Sequence, residues 1–333
     1  YINSHKDCLL ELYNNSTVAG LFLNKPHFPK RKYTTDVKNL NPSYVTGFCD
    51  GEACFTVKVN RNSLLRTGWN VSLIFSIHLN VRDLDLLEQI KAFFGVGYIQ
   101  INKDGSITYS VANLKDLTNV IIPHFCKYPL LTQKQADFEL FRRLVELVNH
   151  KEHLTTEGIR KIISIRASIN NGLSDKLKAY FSNIMPTTRP IVKLAKNIDP
   201  NWLAGFVDAE GSFIVSIYKS KTTTGYAIKL IFSISQNHRD FELLSSCVKF
   251  LNCGRVSEKP TTSSVELIIT KFSDFENKII PLFNKYPLFG TKLRDYEDFC
   301  KIALLIKHKA HLTNEGLEQI RLIKSGMNRR RAS

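Results

Sequence analysis

Residues 203–211 read LAGFVDAEG, and residues 45–53 read VTGFCDGEA. Each phrase closes a short apolar run, over 202–207 and 44–49, and each follows a proline, Pro200 or Pro42, suited to the first turn of a helix. Each ends on a carboxylate, Glu210 or Glu52, and passes at once into an alternating, strand-like stretch. The pattern predicts two short helices, each with an acid at its C-terminal end. A helix C-terminus carries partial negative charge, so a carboxylate there costs a few tenths of a kcal/mol up to about 1. A bound cation would remove that conflict. A solvated glutamate at a helix end is the plain alternative, and its recurrence in both phrases argues against it.

The repetition extends well beyond these phrases. Phe75-Ser76-Ile77 recurs as Phe232-Ser233-Ile234, and Lys127-Tyr128-Pro129-Leu130 as Lys285-Tyr286-Pro287-Leu288. Lys134 matches Lys292, and Lys151-x-His153-Leu154-Thr155 matches Lys309-x-His311-Leu312-Thr313. A period this long means two similar domains in tandem rather than a solenoid. The expected division is an extension over 1–38, a first repeat over 39–171, a linker over 172–198 and a second repeat over 199–333.

Within the first repeat, Phe55, Val57 and Val59 alternate with polar residues, as do Val71, Leu73, Phe75 and Ile77, so both segments read as strands with one buried face. A helix is expected over 82–94. Two further strands, 97–102 and 106–111, flank Lys103-Asp104-Gly105, a hairpin signal. Helices follow over 115–125, 133–149 and 155–168, with Thr155 or Thr156 as N-cap. The second repeat repeats the order. The expected architecture is α+β, a tandem duplication of αββαββα units with an extra C-terminal helix, each unit carrying a four-stranded antiparallel sheet.

The chain of 333 residues is 43% apolar and carries a formal net charge of +16, which suits a polyanionic partner. No apolar run approaches the roughly 20 residues of a membrane helix, so nucleic acid is favoured over a membrane. Seven scattered cysteines without a C-x-x-C spacing give neither a disulfide framework nor a zinc ribbon. Residue 1 is Tyr, so the chain reads as a fragment, a processed product or the continuation of an upstream frame. The wet faces of the sheets offer hydrogen-bonding and basic side chains of the kind that read base edges and contact phosphates. The candidates are Lys58, Asn60, Asn70, Ser72, His78, Gln100 and Asn102, then Lys229, Arg255 and Lys259, with Arg61, Arg66, Lys219 and Lys221 in or beside the loops.

The paired phrases resemble the LAGLIDADG motif that names a family of homing endonucleases, and the likeness spans about residues 41–328. It is close in the second repeat and looser in the first. FSIxxNxxD, KYPL-x-x-x-K and K-x-HLT-x-EG are similar to the single-chain, two-repeat branch encoded in organelle introns. The resemblance implies two motif helices packed side by side at a pseudo-two-fold axis, with Gly47 and Gly205, and the small Thr46 and Ala204, permitting close approach. It implies a monomer whose sheets form a saddle on double-stranded DNA, and a mitochondrial location. Glu52 and Glu210 would hold the divalent cation, Mg2+, and each would serve one strand of a double-strand break. Asp50 and Asp208 take a structural place near the helix ends. Gln236 matches a position that orients water, opposite Leu79 or Asn80 in the first repeat. Lys134 and Lys292 fall where the family places a basic residue near the scissile phosphate. Ala53 stands where the motif has Gly, a residue favoured after a helix end, so the first helix could stop early, at Gly51. An intron RNA maturase or a non-cleaving DNA-binding regulator on the same scaffold are the alternatives, with intron RNA as the maturase's partner.

Overall fold

The protein is described here from a computed structural model over residues 40–194, 197–259 and 262–328. The 1–38 extension and the terminal Arg329-Arg330-Arg331 run lie outside the described residues. Helix α1 (Pro42–Glu52) leads into β1 (Ala53–Arg61), β2 (Trp69–Asn80), α2 (Leu84–Phe94), β3 (Tyr98–Ile101) and β4 (Ser106–Val111). Helix α3 (114–127), α4 (Lys134–Asn149) and α5 (Thr156–Arg166) complete the first repeat. A short α6 (Asp175–Tyr180) lies in the linker. The second repeat runs α7 (Pro200–Glu210), β5 (Gly211–Lys219), β6 (Tyr226–Asn237), α8 (Phe241–Leu251), β7 (Arg255–Lys259), β8 (Ser264–Ile269), α9 (272–285), α10 (Lys292–Lys307) and α11 (Asn314–Ser325). The αββαββα order is thus followed by two further helices in each repeat rather than one. Among the described residues no helix is long and apolar enough to cross a membrane.

Each repeat forms a four-stranded antiparallel sheet, ordered β1-β2-β4-β3 and β5-β6-β8-β7. The hairpin at Asp104-Gly105 forms because Gly105 adopts φ +79° and the Asp104 carboxylate accepts the Ser106 N–H at 3.0 Å. Period-two patterning fixes which face is dry. Phe55, Phe75 and Ile77 point to the helices and are buried, and so are Phe213, Phe232 and Ile234. Phe55 meets Phe75, Phe125, Phe138 and Phe141 at 5.3–5.5 Å between ring centroids. In the second repeat Phe213 meets Phe232, Phe283, Tyr296 and Phe299 in the same way. Such ring pairs add about 0.5–1.5 kcal/mol each beyond their buried area.

Helices α3 and α9 carry a detail the apolar spacing does not predict. Each contains a π turn, Leu117–Ile121 or Phe275–Ile279, in which the N–H of Ile122 or Ile280 reaches back five residues to Leu117 or Phe275. Pro123 and Pro281 follow at once. A proline has no N–H and its ring clashes with the carbonyl four residues back, so the widened turn lets each helix continue through it. The cap of α5 is Thr155, whose hydroxyl accepts from the Gly158 N–H at 3.0 Å.

Candidate active site

The two motif helices, α1 and α7, pack directly on each other. A Cβ added to Gly47 would overlap the Trp202 carbonyl oxygen, and one added to Gly205 would overlap the Tyr44 carbonyl oxygen. Backbone therefore meets backbone at these two residues, and no side chain fits between. The Thr46 hydroxyl donates to the Tyr128 carbonyl of its own repeat at 3.1 Å. Helix α1 runs through Glu52 and does not stop at Gly51. Ala53 and Gly211 are both extended, at φ −79° and −75°, so neither helix end uses the left-handed conformation that would require glycine. Gly211 is glycine for space, since a Cβ there would come within 2.7 Å of the Val207 side chain and carbonyl.

The first acid of each phrase ties the helices together crosswise. Asp50 is buried and accepts from Leu131 N–H (2.8 Å), Thr132 N–H (3.1 Å), Thr132 hydroxyl (2.6 Å) and the indole N–H of Trp202, in the other repeat, at 2.7 Å. Asp208 accepts from Phe289 N–H (2.6 Å), Gly290 N–H (2.8 Å) and the hydroxyl of Tyr44, again in the other repeat, at 2.5 Å. Burial pushes both carboxyls above the ordinary carboxylate value, and these donors oppose it. Gly290 stands where the first repeat has Thr132, and it supplies no hydroxyl. Tyr44 and Trp202 each open an apolar run, so the sequence reads them as core and conceals their polar partners.

The acid at each helix end is accommodated by a cation from a different helix. Lys134, the first residue of α4, extends its ammonium to the carbonyls of Cys49 (3.0 Å) and Gly51 (2.8 Å). Lys292, the first residue of α10, does the same for Val207 (3.2 Å) and Ala209 (2.9 Å). Each lysine neutralises the negative pole of the motif helix on which the glutamate sits. Burial pulls both ammonium groups below their ordinary value, while neighbouring acids, Asp50 and Glu210 for Lys134 and Asp208, Glu210 and Glu52 for Lys292, oppose the shift. Burial pushes the Glu52 carboxyl up, the negative charge of Glu210 pushes it further, and Lys292 and Lys134 pull it back. The two terminal acids are thus electrostatic neighbours at the seam between the repeats. Gly51 belongs to the same seam, since a Cβ there would lie 3.0 Å from Glu210 Cγ.

The remaining predicted residues divide by strand register. Lys58 pairs with Ser72 and Asn60 with Asn70; His78 pairs with Thr108, which also faces Gln100. All of these lie on the face opposite the buried phenylalanines. Asn102 follows β3 and donates to the Ser106 and Thr108 hydroxyls at 2.9 and 3.2 Å, and the His78 ring lies 3.0 Å from Thr108 Oγ1. In the second sheet Lys229 pairs with Ser216, Arg255 takes the same outward register, and Lys259 pairs with Ser264. Arg66 and Lys221 are exposed in the loops. Arg61 and Lys219 are not members of this set. They end their strands on the register of the core residues, and the Arg61 guanidinium lies over the rings of Trp69 and Tyr180, 5.7 and 5.2 Å from their centroids. Gln236 likewise shares the register of Phe232 and Ile234, opposite Val265, and its counterpart by the same register is Leu79, opposite Ile107.

Two sheets with polar outer faces, joined at a helix pair that ends in two neighbouring acids, describe a duplicated nucleic-acid enzyme scaffold. The family model described as LAGLIDADG endonuclease matches residues 45–145 and 203–303, and the chain belongs to that family. A "Probable intron-encoded endonuclease 3" of Neurospora crassa is 40% identical over 299 residues, covering 88% of this chain. The chain spans 56% of that relative's length. Among solved structures, I-SmaMI bound to an uncleaved DNA target in the presence of calcium ions is 44% identical, with a TM-score of 0.85 over 87% of this chain and 99% of that one. I-SmaMI bound to cleaved DNA aligns with a TM-score of 0.86 at 44% identity, over 88% of this chain and 98% of that one.

Proposed function

We propose that this chain is a site-specific endonuclease that hydrolyses both strands of a long asymmetric DNA target, acts as a monomer and works in the mitochondrion. The observation that carries the reading is the backbone-to-backbone packing of α1 on α7 at Gly47 and Gly205, which brings the helix ends carrying Glu52 and Glu210 to one seam. Two repelling carboxylates are hard oxygen donors, and Glu52 and Glu210 would together hold a divalent cation, Mg2+ in the working enzyme. When bound, the ion lowers the pKa of an attacking water and offsets charge on the scissile phosphate. The chain's own part is to hold the two acids at the ends of helices locked by Gly47 and Gly205. Lys134 and Lys292 keep those ends neutral and place a cation beside the acids. Gln236 orients water in the second half, and Leu79 denies the first half an equivalent. Lys58, Asn60, Asn70, Ser72, His78, Gln100, Asn102, Lys229, Arg255 and Lys259 read the duplex, with Arg66 and Lys221 on the backbone.

The test is a tiled duplex library incubated with Mg2+, with Ca2+ and with EDTA. Cutting at one long site in Mg2+ alone is expected. Glu52→Gln and Glu210→Gln should each keep binding in Ca2+ and lose at least about 100-fold in cleavage rate. Full cleavage by both variants would refute the two-acid assignment.

A further inference from the structure

Helices α4 and α10 begin with the lysines of the site, and the residues before them, Gln133 and Thr291, are already helical and make no side-chain cap bond; in α4 the Thr132 hydroxyl of the same repeat accepts the Lys134 N–H at 3.2 Å. The N–H groups of Gln133 and Thr291 themselves find their acceptor in the other repeat. The Asp240 carboxylate of the second repeat accepts the Gln133 N–H at 2.7 Å. The Asp83 carboxylate of the first repeat accepts the Thr291 N–H at 2.9 Å and the Thr291 hydroxyl at 2.8 Å. Asp240 is 4% exposed, so this is a built contact and not a solvated one. Burial raises the Asp240 carboxyl, and the Gln133 N–H and Arg239 draw it back. An acid placed on the first N–H groups of a helix complements the positive pole there. Each of these helices then delivers its lysine to the carbonyls that end a motif helix. The contacts therefore run from Asp240 through Gln133 and Lys134 to Cys49 and Gly51, beside Glu52, and from Asp83 through Thr291 and Lys292 to Val207 and Ala209, beside Glu210.

We propose that Asp240 and Asp83 are positioning residues that act crosswise, each setting the lysine and the helix end of the opposite repeat. Neither touches the reacting atoms. The consequence is that each lysine helix is held in part by the repeat that does not contain it, so a repeat taken alone lacks the carboxylate that accepts the Gln133 or Thr291 N–H. The proposal rests on the endonuclease reading for its strand assay, and it has a second readout that does not.

The experiment follows each strand separately on the duplex recovered from the library, under single turnover in Mg2+, with binding in Ca2+ as the check on folding. Lys134→Met and Lys292→Met define which strand each lysine serves. Asp240→Ala should slow the strand that Lys134→Met slows, by about 10-fold or more, and leave the other strand within about 3-fold. Asp83→Ala should show the opposite bias. Asp240→Asn, which keeps an acceptor for the Gln133 N–H, should recover most of the loss, and Thr291→Val should bias the Lys292 strand more weakly. Equal slowing of both strands, no slowing, or a bias towards the lysine of the aspartate's own repeat would overturn the proposal. The independent readout is NMR of the lysine ammonium groups: Asp240→Ala should move the Lys134 titration and leave Lys292 in place. A wild-type protein that cuts no duplex would remove the endonuclease reading, while the ammonium titrations would still decide the crosswise link.

Discussion

Glu52 stores free energy that its neighbours do not fully return. Its carboxyl is raised by burial and by Glu210, so in the metal-free protein the folded state holds that proton more tightly than the unfolded chain does. Below the ordinary glutamate range both states are protonated and nothing is lost; as pH rises into the window above that range, the folded state must give up a proton it favours, and stability falls. Glu52→Gln should therefore melt above wild type at neutral pH without metal, and the gap should close as pH is lowered. Thermal melts across pH check this, and a variant less stable than wild type at neutral pH would contradict it. The same shift makes a divalent cation compete with a proton, so Ca2+ affinity should rise with pH until the carboxyl is fully ionised. The sequence shows both glutamates, because an acid at a helix end recurs in both phrases. It does not show that Tyr44 and Trp202 are polar partners of Asp208 and Asp50. An aromatic residue at the head of an apolar run looks the same whether or not its polar tip finds a carboxylate.

Among the elements, the helix pair is the least forgiving. Gly47 and Gly205 admit carbonyl oxygens where a methyl group would sit, so Gly47→Ala or Gly205→Ala must part α1 from α7. A loss of about 3 kcal/mol is expected, the upper end for overpacking because the obstructing atom is backbone. Denaturant melts check it, and an unchanged midpoint would show that the pair is looser than described. The small residues were visible in the sequence, and so were the strands, since period two needs only the order of apolar and polar residues. The turn chemistry at Asp104-Gly105 was legible for the same local reason. What was not legible came from distant partners. The ammonium of Lys134 on Cys49 and Gly51 joins residues 85 and 83 apart in sequence, and no periodicity encodes that. Arg61 and Lys219, expected in or beside the loops, instead end their strands on the register of the core residues, a boundary that apolar–polar alternation does not mark.

At the scale of the whole molecule, charge and the linker carry the testable consequences. With a net charge of +16, binding to duplex DNA should weaken steeply with salt. Arg66→Ala and Lys221→Ala should each lower the salt slope by about 1, as expected for one phosphate contact each, and an unchanged slope would contradict their backbone role. The linker returns over the first repeat through Arg189. Its guanidinium grips Asp137, which is 3% exposed, at 2.6 and 2.9 Å, and also donates to the carbonyls of Ser168 and Gln133 at 2.9 Å. Removing it leaves a buried carboxylate without its cation, so Arg189→Leu should cost about 3 kcal/mol, read from denaturant melts.

The exchanged aromatics at the helix pair bear on how such a chain can change over time. Tyr44 suits a carboxylate flanked by Gly290, and Trp202 suits one already donated to by Thr132. A protein assembled from two copies of the first half would aim Tyr44 at an acid that Thr132 already serves. One assembled from two copies of the second half would bring the larger indole to an acid beside Gly290. Recombining halves from different relatives should succeed where Tyr44 or Trp202 travels together with the loop that faces it, and otherwise yield insoluble protein. Expression of chimeras with and without that co-transfer would separate the two outcomes.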